Sequence, residues 1–199
     1  MSTRKAQTRE RILDAAWRLL VERGYHSVGL DEVAREAGIS RQALYRWHFG
    51  SKSELLLALV GHVNERIGVP RELERYRQAP TALAALEAAV AMQSRMEARV
   101  YEISRVLYSV RREEPAAEAA WQDVVRGRHA EASRLARRLQ EEGVLAEGWA
   151  AKDAADLIWA LLSVHIHEYL VVERGWTEKH FADAISRLLR RGLTADPAG

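Results

Sequence analysis

The sequence of 199 residues contains no cysteine. Disulfide bonds and thiolate metal sites are therefore excluded, and the composition fits the reducing cytoplasm, where we expect the protein to reside. The first residues show no basic flank followed by an apolar run, so we expect no signal peptide.

A long uninterrupted apolar run is also missing. The most apolar window, residues 154–172, contains Asp156, His165, His167 and Glu168. These polar side chains would be costly inside a bilayer. We therefore expect this window to form a buried helix of a soluble domain, and we expect no membrane segment.

Motifs of catalysis and metal binding are missing too. The sequence has no glycine-rich phosphate loop, no serine elbow and no cluster of metal ligands. His165 and His167 diverge by about 200° on a helix, so they cannot chelate one ion. His165 shares a face with Glu168 or Tyr169 and could contact a polar group, although a hydrogen-bonded interior histidine is the more ordinary role. We expect no catalytic residue, no metal and no cofactor.

Positive charge is concentrated at the N-terminal end, although the net charge is only +2. Residues 1–53 hold ten lysines and arginines against six acidic residues. A basic N-terminal quarter suits a polyanionic partner, and a near-neutral remainder suits packing and assembly.

Apolar residues recur at helical spacing along the whole chain, and no strand pattern of useful length is present. Thr8 is a plausible N-cap for the first helix and Gly24 a plausible end. Ser51 begins a capping box with Glu54, which opens a helix to about Arg66. Between them stand two short helices, and later helices are expected at about 81–98, 99–112, 116–142, 152–173 and 177–191. The sequence predicts an all-α fold.

The break at residues 68–70 divides the chain. We predict a disordered basic arm over residues 1–7, a small basic domain over residues 8–52 and a connecting helix over residues 53–66. Residues 67–199 are then a second, helical domain.

The two short helices meet at the sequence Ala37-Gly38-Ile39-Ser40, which is typical of a helix-turn-helix. Gly38 can adopt the left-handed conformation that the turn needs, and Ser40 can cap the next helix. A recognition helix enters the major groove with its N-terminal residues at the base edges. Arginine can pair with guanine and glutamine with adenine. The residues predicted on the exposed face of this helix are Arg41, Gln42, Ala43, Tyr45 and Arg46.

These segments resemble the DNA-binding domain of the TetR family. The resemblance covers about residues 8–60 and rests on the runs at 8–16, 22–25, 33–40, 44–45 and 48–55. It implies a dimeric, ligand-responsive regulator, most often a repressor. It also implies that Tyr45, His48 and Lys52 contact DNA, largely its backbone. Lys52 stands in the first turn of its helix, where its ammonium and free amides could face one phosphate.

Three positions depart from the family pattern. Val28-Gly29 replaces a frequent threonine pair, which removes a hydroxyl cap, although glycine is an acceptable N-cap. Gln42 replaces a small residue and could bring a new base contact. The stretch from Tyr45 to His48 is one residue longer than usual, so either Arg46 or Trp47 is extra. Trp47 is included among the predicted DNA contacts.

The last two predicted helices favour a dimer interface. The helix over 152–173 is apolar almost all round, and the helix over 177–191 carries one apolar stripe, so two copies could form a four-helix bundle. An internal core without a dimer is the alternative. The predicted interface residues are Leu161, Val164, Phe181, Ala184, Ile185 and Leu188.

Aromatic residues and methionines in the second domain suggest a pocket for a planar or lipophilic effector. Each of them individually is more often a core residue. The candidates are Met92, Met96, Tyr101, Tyr108, Trp121, Trp159 and His165.

Taken together, these features predict a sequence-specific regulator of transcription that binds double-stranded DNA as a homodimer. An unknown small effector would release it from a near-palindromic operator. One alternative is an enzyme, although the sequence contains no catalytic motif. The other is a helical adaptor or small-molecule-binding protein with a vestigial helix-turn-helix.

Overall fold

The computed structural model describes residues 3–195, which are mostly helical. Within this range the only β-type pairing is a single bridge between Leu145 and Thr194. The all-α prediction is confirmed. The helices are α1 (Thr3–Arg23), α2 (Leu30–Glu36), α3 (Arg41–Trp47), α4 (Lys52–Ile67), α5 (Val69–Arg77), α6 (Ala82–Val110), α7 (Pro115–Glu141), α8 (Ala151–Leu161), α9 (Val164–His167) and α10 (Glu178–Leu193), with a π-helical segment (Glu168–Glu173) after α9.

The chain forms two compact units. Unit 1 comprises the described residues up to Ile67 together with Val100–Asp123, and unit 2 comprises Gly68–Arg99 and the described residues from Val124 onwards. The sequence predicts one domain from residue 67 onwards, whereas residues 100–123 belong to unit 1. The reason is that an apolar stripe of α6 shares the core of α1–α4. Its residues are Val100, Ile103, Val106, Leu107 and Val110.

Helix α1 begins earlier than the sequence predicts. The expected disordered arm is wrong for residues 3–7, which are helical, while Met1 and Ser2 lie outside the described residues. Thr8 is therefore not an N-cap. Its hydroxyl instead donates to the Arg4 carbonyl oxygen at 3.0 Å within the helix. The stretch from Arg4 to Gln7 contains only good helix formers and no breaker, which explains the extension.

Proline and glycine near residue 70 begin a helix as well as ending one. Gly68 has a left-handed φ of +83° and serves as the N-cap of α5. Pro70 lies in the first turn of α5, where its missing N–H costs no hydrogen bond. The sequence reading missed α5 for this reason.

Two further boundaries differ from the prediction. Residues 99–112 do not form a separate helix, because α6 runs through Arg99 without a breaker to Val110. Residues 152–173 do not form one helix. The chain breaks after Leu161, and the Ser163 hydroxyl accepts a hydrogen bond from Ile166 N at 3.5 Å to start α9.

No single helix among residues 3–195 is long and apolar enough to cross a membrane. The pair Ala151–Leu161 and Val164–Glu173, bent by 43°, meets that test by length and composition alone.

Candidate functional site

The turn between α2 and α3 has the geometry that its sequence predicts. Gly38 has a φ of +68°, in the left-handed region, and the Ser40 hydroxyl accepts a hydrogen bond from Ala43 N at 3.1 Å. Val33 and Leu44 are buried on either side of the turn. This small core and the cap fix the angle between the two helices.

The N-cap of α2 is Gly29, which has no side-chain hydroxyl to cap the first turn. The Glu32 carboxylate compensates, because its Oε2 accepts a hydrogen bond from Gly29 N at 3.1 Å. This bond and the neighbouring Arg23 lower the pKa of Glu32. The expectation that a glycine cap is tolerated is confirmed.

Helix α3 presents a continuous polar and aromatic face to solvent. Arg41, Gln42, Tyr45, Arg46 and Trp47 are all exposed, and Trp47 is 57% exposed despite its size. An exposed tryptophan on a short basic helix is unusual for a monomeric surface, because it leaves a large apolar area in water. Ala43 is half-buried beneath this face.

Two arginines on α3 are held in place by neighbouring rings and acids. The Arg41 guanidinium pairs with Asp31 Oδ2 at 3.0 Å and lies 5.5 Å from the Tyr45 ring centroid. The Arg46 guanidinium lies 5.0 Å from the Trp47 ring centroid. The Arg41–Asp31 pair is exposed, so exchanging it for another acceptor costs only about 1 kcal/mol or less.

Lys52 occupies the first turn of α4, as predicted, but its ammonium is already engaged. Nζ donates to the Tyr25 carbonyl oxygen and lies 3.9 Å from the centroid of the Tyr25 ring. Burial lowers the pKa of Lys52, although the charge of Glu114 opposes this shift. Lys52 therefore holds the turn after α1, a role that the sequence did not reveal because the two residues are 27 positions apart.

A partly buried polar cluster continues from this contact. The Ser53 hydroxyl donates to Glu114 Oε2 at 3.2 Å. Burial, with a smaller contribution from the charge of Glu114, raises the pKa of Tyr25 to about 12. The start of α4 is thus fixed by contacts to the α1–α2 turn and to the residues after α6.

His48 lies at the C-cap of α3 and is half-buried. Burial lowers its pKa, and the charges of Lys5 and Arg9 lower it further. The Arg9 guanidinium also stacks over the Phe49 ring, 4.4 Å from its centroid. Lys5 and Arg9 therefore add positive charge beside the predicted DNA contacts, and the sequence reading missed them. The basic composition of the first residues is the signal for them, although Lys5 lies in the stretch that the sequence predicts as a disordered arm.

A cavity of about 80 Å³ lies within unit 2. Most of its wall is apolar, and three polar side chains, Gln93, Arg128 and Glu131, stand at its edge. The remaining lining residues are Leu73, Tyr76, Ala89, Met92, Ala132, Leu135, Ile158, Trp159 and Leu162.

The structure brings two of the seven predicted effector residues to this cavity, Met92 and Trp159. Met96 is buried in the same unit, and His165 is half-buried there. The other three belong to unit 1, where the Tyr108 and Trp121 rings pack edge to face with centroids 5.1 Å apart, and where Tyr101 is half-buried.

The predicted dimer residues separate into two groups. Phe181 and Ile185 are 1% and 4% exposed inside the core of unit 2, so they have no surface to offer a partner, and this part of the prediction is corrected. Val164 is buried as well, and Leu161 and Ala184 are half-buried. Only Leu188, at 54%, is strongly exposed.

The capped left-handed turn, the two short helices and the exposed basic face of α3 together define a helix-turn-helix DNA-binding domain. Residues 12–59 match the family model described as bacterial regulatory proteins, tetR family. Over these residues the chain resembles the DNA-binding domain of TetR-family bacterial regulators.

Curated relatives resemble the N-terminal part. The chain is 43% identical over 70 residues to the HTH-type transcriptional activator FasR of Mycolicibacterium smegmatis, a match covering 35% of this chain and 32% of FasR. It is 42% identical over 73 residues to the HTH-type transcriptional regulator AcrR of Shigella flexneri, covering 37% of this chain and 32% of AcrR. The chain thus spans about a third of the length of these relatives.

Solved structures share the fold over nearly the whole chain. A transcriptional regulator from Saccharomonospora viridis, solved in complex with choline, superposes with a TM-score of 0.80 at 22% identity, covering 96% of this chain and all of that one. NalD of Pseudomonas aeruginosa, the secondary repressor of an efflux pump, superposes with a TM-score of 0.74 at 23% identity, covering 98% and 99%.

Proposed function

We propose that the protein binds double-stranded DNA through α3 and the start of α4 and regulates transcription as a repressor, which is the usual mode of the family it resembles. The single observation that carries this proposal is the exposed face of α3, with two arginines, a glutamine and two aromatic rings in water. Arg41 and Gln42 stand in the first turn, where a recognition helix meets base edges. Arg46, Trp47 and His48 follow at its C-terminal end.

Backbone contacts are proposed for Tyr45, His48 and Lys52, supported by the family resemblance. Lys5 and Arg9 add charge on the same side, and such contacts raise affinity without reading sequence. Lys52 can donate a hydrogen bond to a DNA phosphate while it still donates to the Tyr25 carbonyl oxygen, because an ammonium carries three donors.

A homodimer is proposed because one short helix reads only a few base pairs. Two modules about 34 Å apart would cover a near-palindromic operator. We place the interface at Leu157, Val172 and Leu188, and the support for this choice is their exposure of 38%, 52% and 54% in unit 2. Leu161 and Ala184 are half-buried and can contribute at its edge. These side chains lie on α8, the π-helical segment and α10, and a helical bundle between two subunits would cover such exposed apolar groups.

The cavity of unit 2 is proposed as the effector site. Its apolar wall with few polar groups is typical of small-molecule sites. The structural relative with choline supports a small ligand in this fold. An effector that binds the DNA-free state better than the DNA-bound state would release the operator. Because the target is chromosomal DNA, we propose that the protein works in the cytoplasm.

The test is a selection of random double-stranded DNA, followed by affinity measurements on the enriched sequence. The expected result is a near-palindromic sequence. Arg41→Ala should discriminate less between this sequence and single-base variants, by about 1–3 kcal/mol at the affected position. Arg105→Ala is the matched control, since Arg105 is exposed in unit 1 and pairs with Glu102 on its own helix. Selection without enrichment would favour the adaptor alternative.

A further inference from the structure

Glu97 is the most deeply buried acid of unit 2, with 0% exposure. Its Oε2 accepts hydrogen bonds from Gln93 Nε2 and, at 3.0 Å, from Arg128 Nη2. Its other oxygen, Oε1, is buried and has no hydrogen-bond partner among residues 3–195. A buried carboxylate oxygen without a donor is costly, because water no longer solvates it.

The position of Glu97 connects it to the cavity. Both side chains that bond to it, Gln93 and Arg128, line that cavity. Glu97 does not itself line the cavity, but it is hydrogen-bonded to two side chains that do. A ligand group that displaces or extends past the Gln93 amide would reach the carboxylate.

The charges around the cavity favour a donor over an acceptor. The acid that lines the cavity, Glu131, already pairs with Arg77 and Arg134. Arg128, by contrast, is 28% exposed and retains contact with water, whereas Glu97 does not. The unsatisfied buried group at this cavity is thus an acceptor with negative charge.

The aromatic residues of the wall also favour a cationic ligand group. Tyr76 and Trp159 line the cavity with Met92. Ring faces attract cations, and tryptophan does so most strongly. An apolar body with one cationic or hydrogen-bond-donating head would match both parts of the site.

We propose that the cavity binds a mainly apolar effector with a single ammonium head, and that Glu97 receives this head. The proposal rests on the proposed function, because it takes the cavity as the effector site. It goes beyond it by fixing the charge of the ligand and the residue that selects it.

The experiment compares three probes of similar size and different charge, phenethylammonium, phenethyl alcohol and hydrocinnamate, by calorimetry on the full chain. The wild type should bind phenethylammonium at least about tenfold more tightly than the neutral alcohol, and hydrocinnamate weakest. Equal binding of the three probes, tighter binding of hydrocinnamate, or no binding of phenethylammonium at millimolar concentration would overturn the proposal.

Two variants are expected to change the affinity for phenethylammonium in opposite directions, so that a loss of folding cannot explain both results. Glu97→Gln should remove most of the preference for phenethylammonium, by about tenfold. Arg128→Gln removes the cation that competes for Glu97, so it should tighten phenethylammonium binding, which a merely destabilised protein would not do. An unchanged preference in Glu97→Gln, or weaker binding in Arg128→Gln, contradicts the assignment.

A third variant separates this proposal from the proposed function. Ala132 is buried in the cavity wall, and Ala132→Leu partly fills the space. Its affinity for DNA serves as the check on folding. If phenethylammonium still binds this variant unchanged, the cavity is not the ligand site and the proposed effector site fails. If binding is lost but the wild type shows no charge preference, only the assignment of Glu97 fails.

Discussion

Replacing Lys52 by methionine separates the two roles that the structure and the family resemblance give to this side chain. Methionine keeps most of the apolar stem and removes only the ammonium. The ammonium donates to the Tyr25 carbonyl oxygen and stacks over the Tyr25 ring. Each effect of its removal has its own measurement.

The structural effect should be a modest loss of stability. A hydrogen bond from a charged donor contributes about 1.5–3 kcal/mol, and we take about 1 kcal/mol because Lys52 is only half-buried. For a chain of this length the melting temperature should fall by about 2–4 °C. Thermal unfolding followed by circular dichroism measures this effect.

The effect on DNA should appear in the salt dependence. Each phosphate contact contributes about 0.9 to the slope of log affinity against log salt. One Lys52 in each subunit of the proposed dimer gives a reduction of about 1.8. Fluorescence anisotropy of a labelled operator between about 50 and 200 mM salt measures the slope.

Arg66→Met is the control, because Arg66 lies on the same helix and pairs with Asp14. It removes the same charge about 21 Å away along α4. If Lys52→Met lowers the melting temperature but leaves the slope unchanged, Lys52 is a structural residue only. If both variants change the slope equally, the effect comes from net charge and not from a phosphate contact.

Three other predictions follow from the structure. Leu188→Glu should convert the proposed dimer into monomers, measured by sedimentation, and should weaken operator binding. Leu57→Glu, at a comparably exposed leucine on α4, should leave the dimer intact. A Leu188→Glu variant that stays dimeric would contradict the proposed face. The lowered pKa of His48 favours its neutral form in the free protein, whereas a DNA phosphate beside it would raise that pKa. Operator affinity should therefore rise as pH falls from about 7 to about 5, and His48→Gln should flatten this dependence. Identical pH profiles of the two proteins would refute the contact. Burial raises the pKa of Tyr25 and of Tyr76 to about 12, so the stability they contribute is complete below pH 10, their unfolded value, and is lost as pH rises towards 12. Phenolate absorbance near pH 12 should therefore lose one late-titrating tyrosine in Tyr76→Phe, and an unchanged titration curve would contradict this assignment.

Local signals explain why the turn region could be predicted from sequence. Gly38 and Ser40 act through conformational preference and a cap three residues away, so neither depends on the rest of the fold. The burial of Val33 and Leu44 follows from helical periodicity alone.

The parts that failed depend on tertiary packing. Periodicity marked Phe181, Ile185 and Leu188 as apolar positions of one helix, but it could not tell which of them the chain buries itself and which it leaves for a partner. The contact of Lys52 with Tyr25 joins residues distant in sequence and has no local signal. The sequence around Pro70 predicts a break and not the start of α5, because only the cap geometry distinguishes a helix start from an end.

The helical start of α1 has a consequence for how the protein finds its operator. A disordered basic arm must be ordered when it meets DNA, at a cost of about 1–2 kcal/mol for each residue fixed. Residues 3–7 are helical before any DNA is present, so this entropy is lost during folding and not during binding. A rigid basic edge also cannot reach out and capture a distant duplex as a flexible arm does. Association should therefore depend on long-range electrostatic steering by the whole domain.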